Sequence, residues 1–273
     1  LLFQPGEETL EGAESCVKAG VLENPHVDAA MMIHSMTGMP MPHGVVLIMD
    51  GGRGMASCDQ YKITVKGKGG HGAMPHLTID PITAAAHSQV ARAEIHSRGL
   101  TSGTFGVITT GKFQAGVASN VIADTAVMEG TIRTGDEATE EMLMQRVKEI
   151  AESVGKAYRC EVDVDFVGHC PPNISDKEVS ASAVKYMTEL LGQAAVPASV
   201  AMGDSNKASG GCADFAFISP CRTASMMLAV GNPENGYCYP QHHPKARFDD
   251  SKLFEGAAAY AYVAARWLEE HQD

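Results

Sequence analysis

Between Gln60 and Phe166 the hydrophobic period switches repeatedly between strand and helix, and that order restricts the fold more than any other feature. Tyr61, Ile63 and Val65 alternate with Gln60, Lys62, Thr64 and Lys66, the signature of a strand with one buried face. Asp80-Pro81 supplies an N-cap and a first-position proline, and Ile82, Ala86, Val90 and Ala93 follow as the apolar stripe of a helix. Strands are expected over Thr104 to Phe113 and Thr125 to Thr134, then a helix carrying Leu143, Val147, Ile150 and Val154. Val162, Val164 and Phe166 alternate with acids in a last strand. The order is β-α-β-β-α-β, a ferredoxin-like arrangement that closes as a sheet with both helices on one face. Residues 57–166 are therefore expected to form an α+β domain.

The flanking segments alternate helices with apolar strands. Leu1-Leu2-Phe3 reads as a strand end, Pro5-Gly6 punctuates it, and a helix is expected from about Thr9 to Ala19, stopped by Gly20. Ala29 to Ile33 is a continuous apolar run that fits a strand buried on both faces. After Pro171-Pro172-Asn173, Ser175-Asp176-Lys177-Glu178 forms a capping box that opens a helix ending at Gly192. A final helix is expected from about Ser251 to Glu270. The expected architecture is one α/β domain, residues 1–56 and 167–273, interrupted by the insertion at 57–166. Because the chain opens in mid-strand, the α/β domain is expected to be N-terminally incomplete.

Composition narrows the partners. With 33 Asp and Glu against 21 Lys and Arg, the net charge is −12, which argues against nucleic acid and anionic membrane surfaces. No apolar run approaches the ~20 residues that a membrane span needs. The seven cysteines contain no C-x-x-C pair, so neither a disulfide framework nor a zinc ribbon is indicated, and reduced thiols in a cytoplasmic protein are expected. No G-x-S-x-G elbow is present, which disfavours a serine hydrolase.

Several acids and imidazoles occupy strand ends or loops, where open α/β sheets carry their sites. Glu7 and Glu8 follow Pro5-Gly6; they suit metal ligation or general-base work, or else form an acidic first helical turn. His34 ends the Ala29–Ile33 run, as a ligand or as a satisfied polar tip. His242-His243-Pro244 precedes the last helix, and adjacent histidines point in different directions, so one of the two would join a given site. In the insertion, Gly67-Lys68-Gly69-Gly70-His71-Gly72 lacks the G-K-[ST] of a phosphate loop and reads as a flexible strand exit presenting His71. Asn120 and Arg133 lie at the edges of neighbouring strands; the arginine suits carboxylate recognition or is a solvated strand-end charge.

Phe3-Gln4-Pro5-Gly6-Glu7-Glu8, Ile33-His34, Gly70-His71-Gly72-Ala73-Met74-Pro75-His76 with Asp80-Pro81-Ile82, Asn120-Val121-Ile122, Gly130-Thr131-Ile132-Arg133 and His242-His243-Pro244 occur in one order along the whole chain. In that combination the sequence resembles the aminoacylase/carboxypeptidase family of two-metal amidohydrolases, in the branch of hippurate, indole-acetyl-amino-acid and aminobenzoyl-glutamate hydrolases. The resemblance implies a metal-binding α/β catalytic domain with an inserted lid or dimerisation domain, and a homodimer formed through that insertion. It implies Glu7 as general acid/base and Glu8, His34 and His242 as ligands of two divalent ions, Zn²⁺ or Mn²⁺, with Co²⁺ or Ni²⁺ as further occupants. It implies His71 as the lid histidine, in dimers often serving the partner's site, and Asn120 and Arg133 as holders of the substrate carboxylate. The implied reaction is amide hydrolysis of a small N-acyl amino acid; a metallocarboxypeptidase or dipeptidase, or a catalytically silent dimerisation module, are the alternatives. The family's H-x-C-G-H-D segment is not in this sequence, and Ala213 and Ala246 stand where the family commonly has Glu and an aromatic residue.

Overall fold

The period-two run around Tyr61 forms a strand, and its odd-numbered residues are the ones sealed from solvent. The computed structural model describes residues 1–52, 54–203, 208, 209 and 211–272. The chain runs through α1 (Gly12–Lys18), β1 (Ala29–Met36) and β2 (Val46–Ile48). It continues through β3 (Asp59–Lys66), β4 (Gly70–His71), α2 (Pro81–Ala91), β5 (Gly106–Ala115) and β6 (Val121–Ile122). Next come β7 (Thr125–Thr134), α3 (Glu137–Ala157) and β8 (Glu161–Gly168). The last elements are α4 (Lys177–Leu191), β9 (Ala195–Pro197), β10 (Arg222–Ala229) and α5 (Leu253–Glu270). Contacts divide the chain into two units, one of Leu1–Gly54, Asn173–Ser209 and Phe215–Asp273, the other of Met55–Pro172 with Gly210–Asp214.

In the second unit the sheet order is β5-β7-β3-β8, and every neighbouring pair is antiparallel. Tyr61, Ile63 and Val65 of β3 and Met128 and Ile132 of β7 meet Leu143, Val147 and Ala151 of α3 and Ala84 and Ala85 of α2 in one buried cluster. The stripe expected on α2 faces the wrong way: Ile82 and Val90 are 41% and 72% exposed, whereas Ala84, Ala85 and Ser88 are buried. Two polar anchors set this phase. The Asp80 carboxylate accepts from the Ile82 amide at one end, and buried Arg92, just past the other, donates to the Tyr61 hydroxyl at 2.8 Å. Alanines then let the helix lie close to the sheet, and a stripe chosen by side-chain size misses them.

In the first unit the sheet order is β1-β10-β2-β9; β1 runs parallel to β10, β2 antiparallel to β10, and β9 parallel to β2. Val46, Ile48, Met226 and Leu228 pack with Tyr186 and Met187 of α4 and Ala259 and Val263 of α5. β1 is half-buried along its whole length rather than sealed on both faces, because it is an edge strand with one neighbour. Leu1-Leu2-Phe3 forms no strand: it has no ladder partner among the described residues, and Leu1 and Phe3 are exposed. Left-handed backbone at Gly6 and Leu10 (φ 70° and 60°) confines Glu7–Thr9 to one 3₁₀ turn, so α1 starts at Gly12 rather than Thr9.

The N-cap of α4 is Asp176, not Ser175. Its carboxylate accepts from the amides of Glu178 and Val179, both at 2.9 Å, while the Ser175 hydroxyl accepts from the Ser225 amide. Partial burial opposes ionisation of Asp176, but the Val179 amide and the Arg222 guanidinium outweigh it and hold the carboxyl below the usual aspartate range. A depressed folded value makes this stabilisation complete above about pH 4 and progressively lost as pH falls through the folded pKa. Asp176→Ala should cost about 1 kcal/mol at pH 7, read from a denaturant midpoint, and that gap should narrow below about pH 4. A gap that widened in acid would contradict this account of the cap.

Candidate active site

Glu7 and Glu8 share the single 3₁₀ turn after Gly6, Glu7 half-buried and Glu8 exposed. His34 lies near the carboxyl end of β1, opposite Met227 of β10. Its Nδ1 is 2.8 Å from the Ser35 carbonyl oxygen. A carbonyl only accepts, so Nδ1 carries a proton, and in the neutral ring the lone pair is then on Nε2, the form that ligates a metal.

The histidine loop is tied to the same strand end. The Gln241 side-chain amide also donates to the Ser35 carbonyl, which anchors the residue beside His242 to the residue beside His34. Gly38, at φ 72°, permits this approach: a Cβ there would come within 2.5 Å of the Pro240 nitrogen and the Tyr239 carbonyl carbon. His243 stacks on Tyr239 with ring centroids 4.3 Å apart and accepts from the Lys245 amide, so it is turned to its own loop. His242, with φ 64°, is the one that brings Nδ1 to 4.0 Å from Glu8 Oε2. The structure therefore brings Glu8 and His242 together beside Glu7. His34 is not gathered with them to the spacing of a closed three-ligand set among the described residues.

The donor set of a carboxylate and two imidazoles has the chemistry of a borderline divalent cation such as Zn²⁺ or Mn²⁺. Gly38→Ala should push the 239–242 loop away and weaken divalent-metal binding by about tenfold or more, measured by metal titration. Unchanged affinity in a folded variant would remove the loop from the site.

His71 and Asn120 meet in the small ribbon of the second unit. β4 pairs antiparallel with β6, placing His71 opposite Val121, and the Gly72 amide donates to the Asn120 carbonyl at 2.8 Å. The glycine run serves this contact: a Cβ on Gly72 would lie 2.9 Å from that carbonyl oxygen. His71 Nδ1 accepts from the Ala73 amide at 3.1 Å, so its proton resides on Nε2. His34 and His71 are thus held in opposite tautomers by the backbone, one presenting a lone pair and the other an N–H donor.

Arg133 lies elsewhere. It is at the far end of β7, opposite Val107, whereas the ribbon joins the sheet near Asp124 and Thr125. Eight residues at ~3.3 Å each separate the ends of that path by about 26 Å. Asn120 belongs to the ribbon at one end of β7, and Arg133 stands at the other end of that strand. Arg133 instead adjoins Cys212. The Cys212 thiol is held far below the ordinary thiol range, chiefly by the Cys170 and Cys58 thiols donating to it and then by Arg133, against the opposing effect of burial. Cys170 and Cys58 are pushed up, first by the same contacts and then by burial.

One constellation escaped the reading by motif. Asp59, Glu140 and His169 of the second unit bring one ligand atom each to within 4.8 Å of one another, the sole such trio among the described residues. Two of the three had a legible signal. Asp59 shares the parity of Tyr61, Ile63 and Val65, and Glu140 lies on the stripe of Leu143 and Val147, so both acids occupy inward positions.

An antiparallel β-α-β-β-α-β unit set within an α/β unit defines the class of protein, and residues 53–159 match the M20_dimer family, a peptidase dimerisation domain. The chain is 31% identical to the IAA-amino acid hydrolase ILR1-like 2 of Arabidopsis thaliana, an alignment covering 99% of this chain and 59% of that protein. It is 30% identical to the N-acetyl-L-cysteine deacetylase of Bacillus subtilis, over 98% of this chain and 60% of the relative. Among solved structures it is similar to the Bacillus subtilis YXEP protein, described as a dinuclear metal binding peptidase, at 26% identity and a TM-score of 0.74, covering 98% of this chain and 64% of that one. Residues 53–159 thus carry the dimerisation domain of M20 peptidases, and the relatives matched along nearly the whole chain are named as an amino acid hydrolase and a deacetylase. It spans about three-fifths of the length of the curated relatives it matches. No described helix is long and apolar enough to cross a membrane.

Proposed function

We propose that the protein is a metal-dependent amidohydrolase that releases an amino acid from an N-acyl amino acid or a related conjugate. The observation that carries this reading is the approach of His242 to Glu8 beside Glu7, near the carboxyl end of β1. Glu8, His34 through Nε2 and His242 would hold divalent cations, Zn²⁺ or Mn²⁺ with Co²⁺ or Ni²⁺ as further occupants. Bound cations supply Lewis acidity, lowering the pKa of water and polarising the amide carbonyl. Glu7 takes the proton from the attacking water and returns it to the departing amine nitrogen. His71 offers its Nε2–H to the oxygen on which negative charge develops, worth about 3–4 kcal/mol for a well-aimed donor. Asn120 and Arg133 hold the substrate's carboxylate end.

The place of Arg133 at the other end of β7 from the ribbon's attachment supports a homodimer in which the ribbon of one chain completes the site of its partner. β5 is a ten-residue edge strand with Val107 and Phe113 exposed, and α2 exposes Ile82 and Val90, an apolar face that suits a second copy of the unit.

Hydrolysis of a panel of N-acyl amino acids by the full gene product, with and without chelator, tests the reading. Turnover that stops with chelator and returns with Zn²⁺ or Mn²⁺ is expected; chelator-insensitive turnover would sink it. Preference for dipeptides over hippurate-like substrates would favour a metallocarboxypeptidase or dipeptidase. A second reading, that this stretch acts as a dimerisation module without catalysis, is favoured by the two-member Glu8–His242 contact. Dimerisation without metal uptake would select it.

A further inference from the structure

We propose that Asp59, Glu140 and His169 form a binding site for a divalent first-row cation within the second unit, separate from Glu7, Glu8, His34 and His242. The site is made by a register fault. Along β3 and β8, Val65 pairs with Val162, Ile63 with Val164 and Tyr61 with Phe166, but Gln60 pairs with Gly168, so Val167 is a bulged extra residue. The slip reverses the parity of the residues beyond it. Continued one step, it sets His169 against Asp59 on the inward face; one step further, Cys58 and Cys170 exchange both backbone hydrogen bonds, at 2.8 and 3.0 Å. By strand alternation the two thiols then belong to the opposite face. Glu140, in the first turns of α3, comes down on the Asp59 side.

His169 Nδ1 lies 2.7 Å from Asp59 Oδ1 and 3.4 Å from Glu140 Oε1. For metal–ligand bonds of about 2.1 Å, neighbouring ligands stand about 3.0–3.4 Å apart; His169 and Glu140 are already at that spacing, and the Asp59–His169 pair would open by a few tenths of an ångström. Asp59 is fully buried and Glu140 is 4% exposed. Asp59 Oδ2 is sealed from solvent with no hydrogen-bond donor among the described residues, and Glu140 Oε1 has none in hydrogen-bonding geometry. Two buried carboxylates side by side repel and are costly to desolvate. An imidazolium at His169 would balance one of those charges, whereas a divalent cation balances both and satisfies the orphaned oxygens. The His169 side chain is 52% exposed, which leaves an approach path from water. A bound ion would tie the start of β3, the first turns of α3 and the segment after β8 where the chain enters and leaves the unit.

The test uses the full chain carrying His34→Ala and His242→Ala, so that binding at the proposed catalytic ligands is removed and the two readings stand or fall separately. Mn²⁺ is the probe, because the nearby thiols of Cys58, Cys170 and Cys212 favour softer ions. Loss of the free Mn²⁺ electron paramagnetic resonance signal should report one equivalent bound per chain. His169→Ala and Asp59→Asn, each with folding checked by circular dichroism, should weaken that binding at least about tenfold. Added Mn²⁺ should raise the Tm of the parent and leave that of His169→Ala unmoved. Absence of Mn²⁺ uptake in this background, or less than twofold change in a folded His169→Ala chain, would overturn the assignment.

Discussion

Glu7→Gln in the full gene product should lower kcat for N-acyl amino acid hydrolysis by about 10²–10⁴-fold, with KM within about threefold of the parent. Glutamine keeps the size and polarity of the side chain but cannot accept a proton from water or return one to the leaving amine. Glu8, His34 and His242 are untouched, so metal content should stay the same. That combination separates a proton carrier from a ligand: a variant that lost metal in step with activity would reassign Glu7 to coordination. Activity within tenfold of the parent would remove it from the chemistry.

His71→Ala should cost about 10²–10³-fold in kcat, the range for removing one donor to a developing oxyanion. Its more telling form is a mixture. His71 and Asn120 share the ribbon, and Arg133 lies about 26 Å along the sheet from its attachment. If the ribbon serves the partner's site, a dimer formed from one Glu7→Gln chain and one His71→Ala chain contains one doubly altered site and one intact site. Random exchange makes half the dimers mixed, so about a quarter of parental activity should return on mixing two nearly inactive proteins. No recovery, with exchange demonstrated by subunit labelling, would place His71 in its own chain's site.

The order of elements was legible because strand and helix periods differ and most segments carry a clear one. Tyr61, Ile63 and Val65 announced both a strand and its buried side. The phase of α2 was not legible, since its inward residues are alanines and a serine, and the choice of face rests on Arg92 reaching Tyr61 across the sheet. The same limit affected the site. Glu7, Glu8, His34 and His242 could be picked out as acids and imidazoles at strand ends and loops, but nothing local distinguished His242 from His243. The resemblance points to His242, and in the structure Tyr239 stacks on His243 while Gln241 reaches Ser35, contacts made over a few residues in one case and about two hundred in the other.

Asp59 and Glu140 were visible as acids at inward positions, yet His169 could not be joined to them from a sequence pattern. Extending the alternation of Val162, Val164 and Phe166 sends His169 to the outer face; only the bulge at Val167 turns it inward. By itself, then, the sequence determined which elements form, in what order, and which residue types stand at their ends, because period, caps and glycines act within a few residues. The tertiary structure decided helix phase, the surroundings of His242 and His243, and the meeting of Asp59, Glu140 and His169. Those depend on register between strands far apart in the chain, where a one-residue slip reverses every later side chain of the strand.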